Sequence, residues 1–201
     1  MDAKQEMLAK EVFKCHGCPD LKSPPVFLVG NPEAKIWVIG INPRLEDFED
    51  VKESKTFEEH QKNEERYFFE KNVHSYFRDF RQVFGDNWLQ KFQESIAHID
   101  LVKCSSKKNK RNKNVECKCG KFLQRQIEMF KPRLIVCNGV PVCEWFEKNY
   151  NISIKNKTQA DLKTSDGHEF TVIFSGFIGR IDNYAKKRLG MEIDAVLKTL
   201  G

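Results

Sequence analysis

The chain has 201 residues, 40% of them hydrophobic and 31% charged, and a formal net charge of +5. That length suits one core and is short for two, so a single domain over residues 1–201 is expected, with its cysteine-bearing N-terminal segment attached. The longest apolar runs, such as Leu134 to Cys137 and Thr171 to Phe174, are far too short to cross a bilayer. The N-terminus MDAKQEMLAKEVFKC is charged throughout and lacks the apolar stretch of a secretory signal, so a cytoplasmic protein with no membrane partner is expected.

In chain order the first informative feature is Cys15-His-Gly-Cys18. Two residues between cysteines allow both thiolates to bite one metal or two corners of a cluster. Lys35 to Ile41 (KIWVIGI) then reads as a buried strand ending in Gly40-Ile41-Asn42-Pro43. An acid-rich stretch from Leu45 to Glu65 follows, with helical patterns over Glu64 to Phe84 and Trp88 to Ile96. The next strand, Ala97 to Lys103, carries Asp100 and leads to Cys104. From Lys103 to Lys113 lie six cations, Lys103, Lys107, Lys108, Lys110, Arg111 and Lys113, with no acid among them. Such a block suits phosphate contacts, or forms a solvated loop with no partner.

A helix over Cys119 to Phe130, a strand over Arg133 to Asn138 and a helix over Val140 to Asn149 come next. Asp166-Gly167 reads as a turn bringing a short edge strand beside the last core strand, Phe170 to Ser175, and a helix over Asn183 to Leu200 closes the chain. Strands alternating with helices predict an α/β fold, a three-layer helix-sheet-helix sandwich around a mostly parallel four-stranded sheet with right-handed crossovers. In such sheets ligands sit at the carboxyl ends of the strands, so Asn42 to Arg44, Cys104 onward, Asn138-Gly139 and Ser175 to Arg180 are the first suspects.

Seven sparsely spaced cysteines in a reducing cell read as ligands or buried thiols and not as disulfides. Cys104 at a strand end and Cys119 at a helix start supply a second pair of thiolates to Cys15 and Cys18. Cys117 competes for the fourth place, while Cys137 and Cys143 read as small buried hydrophobes. Tetrahedral thiolate sites suit an iron-sulfur cluster and zinc alike.

These features in this order resemble the uracil-DNA glycosylase superfamily, most closely its iron-sulfur, family-four-like branch. The resemblance covers nearly the whole chain: the Cys15/Cys18 pair, WVIGINP, DLVKC, Cys119 followed by KFLQRQIEMFKPRLIV, and a last strand leading into a loop and terminal helix. It favours Cys119 over Cys117 as the fourth ligand and a 4Fe-4S cluster over zinc. It implies hydrolysis of the N-glycosidic bond of a damaged base flipped out of DNA, by a monomeric enzyme acting in base excision repair. The turn Ile41-Asn42-Pro43 is similar to the first motif of the mismatch-specific and single-strand-selective branches. On that likeness Asn42 orients the attacking water while Ile41 and Pro43 line the base pocket.

Further roles follow from the same resemblance. Phe57, or secondarily Phe48, stacks on the flipped base. Asp100 stands where the branch has a uracil-reading Asn; an ionised carboxylate accepts only, so it suits a base with an exocyclic amino group, unless it is protonated in a dry pocket or the alignment is shifted by a residue. The second motif, usually His-Pro-Ser, is replaced by Ser175-Gly176-Phe177-Ile178-Gly179-Arg180. There Ser175 offers a hydroxyl donor, Phe177 or Ile178 wedges into the duplex, and Arg180 holds a phosphate together with Lys107, Lys108, Lys110, Arg111 and Lys113. The alternative from another class is a catalytically silent iron-sulfur protein that binds nucleic acid with the same fold.

Overall fold

The computed structural model describes residues 1–15, 25–43, 54–69, 78–104 and 113–200, leaving out the side chains of 113–117. Its strands are β1 (Val29–Gly30), β2 (Ile36–Gly40), β3 (Ile96–Asp100), β4 (Leu134–Cys137), β5 (Gln159–Lys163) and β6 (Glu169–Ile173). Its helices among the described residues are α1 (Ala3–Phe13), α2 (Phe57–Phe69), α3 (Phe80–Phe84), α4 (Trp88–Glu94), α5 (Lys113–Phe130), α6 (Val140–Asn149) and α7 (Asn183–Leu200).

The strands form one sheet in the order β1-β3-β2-β4-β6-β5, and β3, β2, β4 and β6 run parallel at its centre. Alternate side chains go to opposite faces. Trp37, Ile39, Ala97, Ile99, Ile135, Cys137, Phe170 and Val172 share one core with residues of α1, α5 and α6. Val38, Ile96, Leu134, Val136 and Ile173 share the other with residues of α3, α4 and α7. The helix-sheet-helix sandwich is therefore the observed architecture, and its parallel centre consists of the four strands read from the sequence.

Among the described residues the sheet has six strands and not four, because antiparallel β1 and β5 flank that centre. Two-residue β1 is too short to leave a pattern. Strand β5 shows one buried residue among exposed and half-buried ones, as an edge strand does. It is joined to β6 through the Asp166-Gly167 turn, where Gly167 takes φ +88°, a left-handed conformation that glycine adopts at little cost.

Helix α1, unread in the sequence, is fixed by a capping box. The Asp2 carboxylate accepts from Lys4 N and Gln5 N at 2.8 and 2.9 Å, and the Gln5 side chain accepts from Asp2 N at 2.7 Å. Helix α2 begins at Phe57, seven residues before the expected start, because Thr56 Oγ1 accepts from Glu59 N at 3.1 Å and caps it. Strand β3 stops at Asp100 and not at Lys103, although Leu101 N and Val102 N still donate to Gly40 O and Ile41 O, both at 2.9 Å.

Candidate functional site

Hydrogen bonds tie together the carboxyl ends of the four central strands. Asn138 N donates to Ile39 O at 2.8 Å and Gly139 N to Ser175 O at 3.2 Å, linking the end of β4 to its neighbours on both sides. Asn138, wholly buried, also accepts the Ile178 amide on Oδ1 at 2.7 Å, which anchors the loop after β6. The Cys143 thiol donates to the Ser175 carbonyl at 3.5 Å. These contacts place Asn42, Asp100, Asn138 and Ser175 along one edge of the sheet. Asn42 is half-buried and its Nδ2 donates to Pro43 O at 3.1 Å, a local bond that shapes the turn.

Asp100 lies opposite Gly40 in the β2/β3 register. A Cβ on Gly40 would overlap Asp100 Oδ1 and come within 3.2 Å of His98 Nε2, so the absence of a side chain there makes room for both groups. His98, two residues earlier on the same face, has ring centroids of Phe68 and Phe80 at 6.2 and 6.1 Å. Burial in this aromatic setting, with the Lys103 charge adding to it, pulls His98 down to about 3, so the imidazole is neutral.

Burial likewise raises Asp100 above the usual carboxylate range; Lys103 opposes the shift and Glu64 adds to it. Glu64 on α2 is itself 2% exposed, 2.9 Å from His60, and raised by burial that His60 partly offsets. A concentration of buried ionisable groups at the carboxyl end of a parallel sheet is a mark of a functional site.

Lys103 corrects the sequence reading. It does not serve as the first cation of a phosphate-binding stretch, because it is 1% exposed. Burial lowers its ammonium, against the pull of Asp100, Cys119 and Cys104. Both thiols are therefore within electrostatic reach of one cation, although fourteen residues separate them in sequence. Cys104 and Cys119 are each 2% exposed and Cys15 is half-buried after α1. The bidentate pair of Arg125 with Glu11, at 2.6 and 2.7 Å, joins α1 to α5.

Among the described residues no three His, Cys, Asp or Glu side chains converge as metal ligands. Cys18 lies outside the described residues, as does the Cys117 side chain. Two buried thiols beside a buried ammonium nevertheless have the donor chemistry of an anionic thiolate centre.

Phe57 opens α2 at 8% exposure, its ring edge-on to Phe13 and Phe27 at 6.3 and 6.5 Å, and so belongs to the core beside α1. Ile178 is wholly buried and is not available as a wedge. Phe177 is half-buried, with the exposed Arg180 guanidinium 5.7 Å from its ring centroid. Lys107, Lys108, Lys110, Arg111, the Lys113 side chain and Phe48 lie outside the described residues. Cys137 and Cys143 are buried thiols of one core, in keeping with their reading as core residues.

The sequence reading missed Glu64, His98 and the buried role of Lys103. Period-two spacing from Asp100 pointed to His98, but nothing local marked α2 as the element lying over the strand end. An open groove of about 560 Å³, lined by Ile36, Ile96, Lys187 and Leu197 among others, lies at the amino ends of the strands, away from this site. Among the described residues no helix is long and apolar enough to cross a membrane.

No curated protein matches the chain. The model of the uracil DNA glycosylase superfamily matches residues 27–176, the greater part of it, spanning the strand ends from Asn42 to Ser175. Members of that superfamily are typically DNA glycosylases, hydrolases that act on DNA. Matching sequence and a helix-sheet-helix fold with polar groups gathered at the strands' carboxyl ends agree: the chain belongs to the uracil DNA glycosylase superfamily.

Proposed function

We propose that the protein is a monofunctional DNA glycosylase that hydrolyses the N-glycosidic bond of a deaminated or mismatched base, uracil or a related lesion, flipped out of DNA. The observation that carries this reading is the buried Asp100 beside Gly40, at the same sheet edge as Asn42. Burial raises the Asp100 carboxyl to about 7, so near neutral pH a protonated form is populated that presents one O–H donor and one acceptor oxygen, as an amide does. It donates to a ring carbonyl and accepts from the adjacent ring N–H, the edge that uracil, hypoxanthine and xanthine share. This supports the protonated-carboxyl alternative over a base with an exocyclic amino group.

Asn42 positions the attacking water. An amide is a poor base, so its contribution is orientation in a near-attack geometry. Ile41 and Pro43 shape the wall of the pocket, and the Ser175 hydroxyl donates to the departing base. The half-buried Phe177 and exposed Arg180 meet the duplex, with Lys107, Lys108, Lys110, Arg111 and Lys113 contributing phosphate contacts. Phe57 supports the pocket from the core side.

Cys15, Cys18, Cys104 and Cys119 hold the metal centre, an iron-sulfur cluster in preference to zinc. When bound, the centre supplies structure and not redox chemistry, pinning the N-terminal segment and the Cys104 strand end to α5.

The test is base release from oligonucleotides carrying uracil, hypoxanthine, xanthine or mismatched thymine, read by alkaline cleavage of the abasic site. Release from the first three is expected, with Asn42→Ala slowing it on the order of 10²-fold. Salt-sensitive DNA binding without release of any base overturns the enzymatic reading and leaves a silent nucleic-acid-binding protein.

A further inference from the structure

The notch left by Gly40 is shared by two buried side chains of β3. His98 and Asp100 are two residues apart and so lie on the same face of the strand. A Cβ at Gly40 would overlap Asp100 Oδ1 and would stand 3.2 and 3.3 Å from His98 Nε2 and Cε1. His98 Nδ1 is 4.0 Å from Asp100 Oδ2. The imidazole thus turns its polar edge toward the carboxyl and the notch, and the two carboxyl oxygens have different neighbours. Oδ1 borders the notch, and Oδ2 faces the ring. Around the ring stand Val29 and Val38, its register partners on β1 and β2, and the rings of Phe68 and Phe80. Burying a polar ring in such a setting is unfavourable without a polar partner, and the geometry supplies one in Asp100.

At neutral pH the imidazole is neutral, because burial and the Lys103 charge hold it down to about 3. It then has one N–H and one bare nitrogen. A bare Nδ1 would draw the carboxyl proton to Oδ2, away from the notch. An N–H on Nδ1 makes Oδ2 the acceptor and leaves the carboxyl proton on Oδ1, where a base in the notch meets a donor.

We propose that His98 is a positioning residue for Asp100: its Nδ1–H donates to Oδ2 when the pocket is occupied, fixing Oδ2 as the acceptor oxygen and Oδ1 as the hydroxyl that reads the base carbonyl. This inference rests on the reading of Asp100 as the base-reading carboxyl. The separation of 4.0 Å is longer than a hydrogen bond and closes on binding, as catalytic contacts often do. The other charges that bear on Asp100 are Lys103, which lowers it, and Glu64 on α2, which raises it, while Gly40 opposite on β2 has no side chain. All of these stay in place when His98 is changed, so a difference between variants reports on His98.

The experiment compares wild type with His98→Gln, His98→Leu and His98→Asn. An Asn amide nitrogen takes the place of imidazole Nδ1, Gln takes that of Nε2, and Leu offers no donor. Imidazole nitrogen NMR shifts, assigned by the signals absent from His98→Gln, give the tautomer. Single-turnover release of uracil from DNA is followed across the pH range on either side of neutrality, with melting temperatures to establish folding. In wild type Nδ1 should carry the proton, and release should fall as pH rises through about 7, where Asp100 ionises. His98→Gln and His98→Leu should release base roughly 2- to 10-fold more slowly below neutrality. Their alkaline limb should lie about 0.5 to 1 pH unit higher, because the lost N–H favoured the ionised carboxyl. His98→Asn should restore the wild-type limb and most of the rate.

A bare Nδ1 overturns the proposal. So does slower release with an unmoved limb in His98→Gln and His98→Leu, which is what a purely structural role gives, or a His98→Asn that behaves as His98→Leu does. If the substitutions unfold the chain, the wild-type imidazole signals decide alone. A wild-type rate that does not fall above neutrality defeats the reading of Asp100. Wild type that releases no base defeats the enzymatic reading, and the tautomer then decides the pairing of His98 with Asp100 by itself.

Discussion

Asn138→Ala tests whether the end of β4 anchors the loop after β6. The wild-type side chain is wholly buried and accepts the Ile178 amide at 2.7 Å. Removing it leaves that buried N–H without its acceptor, at about 1–3 kcal/mol, and the void left by the amide adds about 1 kcal/mol. The expected loss is therefore about 2–4 kcal/mol, a large share of the roughly 5–15 kcal/mol typical of a folded domain. Urea unfolding measures the total, and native-state hydrogen exchange at the Ile178 amide measures the local part.

If the lost bond alone sets local opening, that amide should exchange roughly 5- to 150-fold faster, following about 1.4 kcal/mol per tenfold. Base release should fall as well, because Ser175 is held by the Gly139 amide and the Cys143 thiol in the same loop. An unchanged unfolding midpoint together with unchanged protection of Ile178 would refute the anchoring argument.

Two further outcomes follow from the buried groups. His98 is neutral in the folded protein, held down to about 3 from 6.5, and charges in the unfolded chain. Its contribution to stability is thus present above pH 6.5 and is lost as pH falls toward 3, by up to about 1.4 kcal/mol per pH unit. His98→Gln should flatten that part of the wild-type stability-versus-pH curve in chemical denaturation, and parallel curves would contradict it. Gly40→Ala would push a Cβ into Asp100 and against His98. It should lower stability by about 1–3 kcal/mol and slow base release by displacing Asp100. An unaltered melting temperature would show that the strand end has room to spare.

Much of this protein was legible in the residues themselves. Apolar β-branched runs marked the four central strands, Asp166-Gly167 marked the hairpin turn, and α6 and α7 have the bounds their patterns indicated. These are local properties, because burial on both faces and left-handed turn geometry each impose a residue type at a given position. The strand ends as the site's location followed from the parallel topology that such alternation implies.

Tertiary structure decided which neighbours meet there. Lys103 reads as one of six exposed cations, yet it is buried within electrostatic reach of Asp100 and two cysteines. Phe57 and Ile178 read as groups for DNA, yet both pack inside. Glu64 reads as part of an acidic surface, yet α2 brings it to the end of β3. A sequence encodes each residue's preference for water or core as an average. Whether a particular charge is covered depends on what distant elements lay over it, and in this chain α2 and α5 supply that cover.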